Sequence, residues 1–221
     1  MIPRVVWDLP TRLFHWAVVV LVFTSWLTQE EGWMGWHFTS GYALLTLLLF
    51  RLAWGVLGSE TARFGQFLRP PWHALAHLRE LHRREPDHQV GHNPAGGWMV
   101  VALLALLGFQ IGTGLCANDQ VETYGPFANA LGQSLSDRIS SLHALGFTLI
   151  EIAVALHVAA IAAYTVLKRH DLVRPMITGT KRLPPGVTPP RLVSPWRAAA
   201  LLAAAALLVA FVIGRYGATS L

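Results

Sequence analysis

Residues 140–160 read SSLHALGFTLIEIAVALHVAA. The stretch is as long and as apolar as a membrane-spanning helix, which needs about 20 such residues. Yet it carries two histidines, His143 and His157, fourteen residues apart. At the rise of an α-helix they stand about 21 Å apart along the axis. Fourteen steps return to within about 40° of the same direction, so both rings leave one face. An imidazole left unpaired away from water is costly. The spacing therefore predicts two separate sites stacked along one helix, each completed from elsewhere in the chain.

The rest of the sequence suits that setting. Of 221 residues 53% are hydrophobic and only 13% charged, against about a quarter charged in a soluble domain. The single cysteine, Cys116, excludes an internal disulfide, covalent CxxCH haem attachment and a cysteine-built zinc or iron–sulfur site. Five apolar segments, at 13–28, 38–57, 97–117, 142–167 and 198–213, are predicted to span a bilayer. The first has no A-x-A site after it and is expected to be retained rather than cleaved.

The net charge of +5 does not call for nucleic acid. Arg4 and Arg12, the group from Arg63 to Arg84, and the group from Lys168 to Arg197 fall on alternate connections. The intervening connections hold Glu30, Glu31, Asp119, Glu122 and Asp137, with only Arg138 and Arg215 as bases. Positive charge collects on the cytoplasmic side, so the N-terminus is expected inside and the C-terminus outside. Trp72, Leu75, Leu78 and Leu81, interleaved with bases, predict a short amphipathic helix near 70–84 on the cytoplasmic surface. Residues 180–197 read as a proline-rich cytoplasmic linker before the last helix at 198–214.

With that topology, depth alone pairs the histidines. His37 opens the second segment on the outer side, level with His143; His15 lies at the inner end of the first, level with His157. A paired imidazole at each depth fits a haem iron, which takes one neutral nitrogen on each side. Gly41 and Gly146 fall on the ligand-bearing faces and would leave room for a flat macrocycle. Arg51, Arg138 and His92 are candidate contacts for haem propionates or quinone. For Arg51 the alternative is snorkelling; for His92 it is a turn or cap in HNP. Exposed His73, His77, His82, His88 and His170 read as solvated residues. Glu151 sits mid-helix between the two sites, either bonded within the bundle or on a proton path.

The stretches VWDLPTRLFHW (6–16), WHFTSGYALLTLLLFRLAWG (36–55), GHNPAGGWM (91–99) and SLHALGF, ALHVAAI and VRPMITG between 141 and 179 resemble the bacterial cytochrome b561 family, closest to its hydrogenase-type cytochrome b subunits. The resemblance runs from Arg4 to Gly179. It implies an all-α integral membrane fold: a four-helix bundle over 1–179 holding two b haems, with an additional fifth helix here. The family's ligand positions fall on His15, His37, His143 and His157. It also implies electron exchange between the quinone pool and a periplasmic partner, a c-type cytochrome or a dehydrogenase or hydrogenase, across a bacterial inner membrane. A homodimer is one arrangement open to such a chain. An electron-transfer subunit is the leading expectation. A stand-alone quinone-linked oxidoreductase, such as a superoxide oxidase, ranks below it because the outer face has more acids than bases.

Overall fold

The computed structural model describes residues 1–80 and 88–216. Leu81 and His82, expected in the surface helix, lie outside the described residues, as do Arg83 and Arg84. Among the described residues, five helices are long and apolar enough to cross a membrane. Strand β1 (Ile2–Val5) leads into α1 (Leu9–Glu30), followed by α2 (Met34–Leu57). Short α3 (Phe64–Phe67) and α4 (Pro71–Arg79) precede α5 (Pro94–Gly114). Then come α6 (Ala128–Leu131), the long α7 (Gln133–Ala163) and α8 (Val173–Thr178), with β2 (Thr180–Leu183) and α9 (Pro195–Tyr216) last. In the bilayer only a helix or a closed barrel satisfies every backbone group internally, so these runs have one stable form. Their outward faces stay apolar: α1 leaves Leu13, Val20 and Phe23 exposed, and α9 leaves Leu207 and Phe211.

The helices extend beyond the apolar windows. Helix α7 begins at Gln133 because polar residues continue the helix outside the hydrocarbon, where only hydropathy stops. At its other end it widens into a π-helical turn over Tyr164–Lys168, closed by Arg169 in the left-handed region (φ 57°).

The chain divides into two compact units. The first comprises residues 1–15, 51–103 and 153–199. Its core joins Val6, Trp7 and Leu183, with Val90, Met176 and Val187 packed against them. Strand β1 pairs antiparallel with β2, Ile2 opposite Leu183 and Val5 opposite Thr180. The expected linker thus begins as a strand. Further along, its backbone is bound by the turn after α2: Arg191 N–H donates to the Glu60 carboxylate at 2.8 Å and Val193 N–H to the Ser59 hydroxyl at 3.0 Å. Gly179, at φ +81°, ends α8, and its carbonyl accepts N–H bonds from Val6 and Trp7. Helix α4 covers part of the stretch expected to be amphipathic. Its Trp72, Leu75 and Leu78 are exposed, while the His77 ring stacks on Tyr164 with centroids 6.0 Å apart.

The second unit comprises residues 16–50, 104–152 and 200–221. Leu44, Leu48, Leu107 and Ile111 form its core. The loop after α5 is held by polar bonds: the Ser136 hydroxyl donates to the Cys116 carbonyl at 2.8 Å, and the Asn118 N–H donates to Ser140 at 2.8 Å.

Candidate functional site

Each unit contains one pair of facing histidines. In the second unit His37, in the first turn of α2, meets His143 of α7, with ring centroids 6.4 Å apart and planes at 87°. The His37 Nδ1 lies 2.8 Å from the Ser25 carbonyl, and the His143 Nδ1 lies 3.0 Å from the Gln110 carbonyl. A carbonyl can only accept, so both Nδ1 atoms carry a proton, and in the neutral tautomer this sets, the lone pair is on Nε2. The Gln110 side-chain amide, 3.3 Å from the His143 Nε2, points a donor at that lone pair. A histidine that donates one ring N–H to a carbonyl is oriented and made more basic as a metal ligand.

In the first unit His15 of α1 meets His157 of α7, with centroids 6.5 Å apart and planes at 52°. Metal–imidazole bonds of about 2.0 Å, plus about 1.1 Å from nitrogen to ring centre on each side, require about 6.2 Å between axial rings. Both pairs have the separation that one iron atom between them demands, and a haem fits the donor set. Among the described residues no group of three histidine, cysteine or carboxylate side chains could hold another metal ion.

Glycines give this site its close approaches, and not all where the sequence suggested. A Cβ on Gly41 would meet no heavy atom within 4 Å. At Gly146 it would collide with the Gln110 Oε1 and lie 3.1 Å from the Phe109 ring, so this glycine admits α5, not a macrocycle. Sequence reasoning missed Gly114. A Cβ there would come within 2.8 Å of the His143 ring, so the end of α5 must be bare for that imidazole to take its position. The GTG run at 112–114 was the available signal.

Arg51 is only 2% exposed, so it does not snorkel. Its guanidinium lies over the Phe64 ring, 4.8 Å from the centroid, and its Nη1 is buried without a hydrogen-bond partner among the described residues. The His92 ring sits edge-on to Trp7 and tilted against Phe67, both at 4.6 Å. Removal from water, then the charges of Arg51, His157 and His15, push its pKa down to about 3, so it is neutral at physiological pH. The cap in HNP falls to Asn93 instead, whose side-chain oxygen accepts the Gly96 N–H at 2.7 Å.

Arg138 is exposed at the start of α7. Glu151 is also exposed, turned outward from α7 and not into the helices. In the outer loop, slight burial favours the neutral form of Asp119. Backbone N–H groups of Thr123, Val121 and Glu122 outweigh this and hold its pKa down at about 2.

A family model described as prokaryotic cytochrome b561 matches residues 6–179. A probable Ni/Fe-hydrogenase B-type cytochrome subunit of Azotobacter chroococcum is 26% identical over 214 residues, covering 79% of this chain and 86% of that protein. The similarly named protein of Cupriavidus necator is 25% identical, covering 79% and 85%. The probable Ni/Fe-hydrogenase 1 B-type cytochrome subunit of Escherichia coli K12 is 24% identical, covering 81% and 91%. No solved structure matches the chain.

Proposed function

Because the chain belongs to the prokaryotic cytochrome b561 family, and so is a haem-bearing membrane protein of electron transport, we propose that it is a di-haem subunit passing electrons between a periplasmic redox partner and the quinone pool. The observation that carries this reading is the two facing pairs, His15 with His157 at 6.5 Å and His37 with His143 at 6.4 Å. Each pair would hold one haem b. Bound there, a haem would supply a one-electron couple, and with two histidines holding it outer-sphere transfer would be favoured over substrate binding.

The chain's own part is positioning. The Ser25 and Gln110 carbonyls fix the tautomers of His37 and His143 and direct their Nε2 lone pairs. The apolar helices keep water from the imidazoles. Arg51 and His92 would serve the His15–His157 site, toward a propionate or a quinone, and Arg138 would serve the His37–His143 site.

The charge distribution supports an N-terminus in the cytoplasm and a C-terminus in the periplasm of a bacterial inner membrane. The relatives' names favour a hydrogenase as the partner class over a free c-type cytochrome. Asp119 and Glu122, both exposed in the outer loop, are acids available to a docking partner; Asp119 also orders that loop through its Oδ1. A stand-alone oxidoreductase acting on a small anion would want an outer cationic surface, and Arg138 is the only base between 115 and 140.

A reduced-minus-oxidised spectrum with haem quantification tests the proposal. Two haems b per chain with bis-histidine signals are expected, and a purified protein without Soret absorbance ends the reading.

A further inference from the structure

The first unit holds a cation whose environment is only half complete. Arg51 lies deep in α2 with its side chain almost wholly buried. One face of its guanidinium is occupied by Phe64. That ring can lie there because residue 55 is glycine: a Cβ would collide with the Phe64 ring. The nearby anion, Asp8, acts on Arg51 electrostatically but spends its oxygens elsewhere. Its Oδ1 accepts the Thr11 N–H at 2.8 Å, and its Oδ2 accepts the Trp54 indole N–H at 3.1 Å. The Arg51 Nη1 is left buried and unbonded among the described residues. A buried charged donor without an acceptor is among the costlier features a fold can hold. Its natural complement is a carboxylate, which guanidinium binds with charge-assisted hydrogen bonds.

The position of Arg51 says which carboxylate. His92 lies within electrostatic reach of Arg51, His157 and His15 together, so the arginine belongs to the neighbourhood of that histidine pair. Asp8 caps the start of α1 through the Thr11 N–H, and His15 follows seven residues later in the same helix. Among the described residues of the second unit no cation is comparably buried, and Arg138 is exposed. Among the described residues, Arg51 and Lys168 are the only buried bases, and both belong to the first unit.

We propose that Arg51, roofed by Phe64, binds a haem propionate at the His15–His157 site and makes that haem easier to reduce than it would be without the arginine. The inference rests on the two-haem reading above. A fixed positive charge favours whichever state carries one more electron, so it raises the reduction potential of its neighbour.

The test is a redox titration, with haem quantification and resonance Raman spectra, of the full chain and its Arg51→Gln and Arg51→Lys variants. R51Q is expected to keep two haems, to lower the midpoint potential of one of them only, and to shift that haem's propionate bending band. R51K, which keeps the charge, should retain most of the potential. If R51Q loses one haem and R51K retains it, the carboxylate anchor is likewise supported. R51Q holding two haems with unchanged potentials and propionate bands overturns the inference. So does equal loss of one haem in both variants, which makes Arg51 a packing residue. Wild-type protein with fewer than two haems contradicts the two-haem reading itself, a failure visible before any variant is made.

Discussion

At the scale of single residues, the second-unit histidines make the sharpest prediction. His37→Ala and His143→Ala should each remove the same haem, and His15→Ala and His157→Ala the other, as read from split signals in low-temperature difference spectra. Loss of one common haem from H15A and H37A would contradict the pairing. Helix pitch and alternating charge were enough to place His37 beside His143 and His15 beside His157, because both are regular along the chain. The hydrogen bonds that orient the rings were not legible: the carbonyls of Ser25 and Gln110 are backbone groups that leave no mark on residue identity. Asp119 offers a second test at this scale. Its folded pKa is below that of the unfolded carboxyl, so its restraint on the loop is present above the unfolded value and lost as pH falls toward about 2. Between pH 5 and 8 the loop should be constant. Asp119→Ala at neutral pH should speed hydrogen exchange at Val121, Glu122 and Thr123.

At the scale of elements, close approach between helices is governed by positions where a methyl group has no room. Gly114→Ala should press on the His143 ring and reduce occupancy of the His37–His143 haem while sparing the other, measured as haem per chain. Gly55→Ala meets the Phe64 ring instead and should cost about 1–3 kcal/mol, the usual range for overpacking, seen as a lower melting temperature. Such glycines are ambiguous in sequence because the same residue serves helix packing and cofactor clearance; only the neighbour across the gap decides. That is why Gly146 read as clearance and proves to receive Gln110 and Phe109. Helix ends escaped for a different reason. Apolar windows mark where the hydrocarbon stops, whereas the backbone bonds of α7 continue to Gln133.

At the scale of the whole molecule, the matched family region ends at Gly179, but the first unit does not. Leu183 of β2 is completely buried with Val6, a pairing between segments far apart in sequence that no local pattern announces. Ending the chain after residue 194 should therefore preserve both haems and the spectrum. Ending it after residue 179 should destabilise the first unit and disturb the His15–His157 haem before the other. The β1–β2 pairing also has a consequence for the order of synthesis. Residues 2–5 leave the ribosome long before their partner strand, which appears only after α1, α2, α5 and α7 have been made. The N-terminal strand must wait, unpaired, through the insertion of four helices, so its docking reports that the first unit is complete. A bulky fusion ahead of β1 would intrude at that step of assembly, even though those four helices had already entered the bilayer.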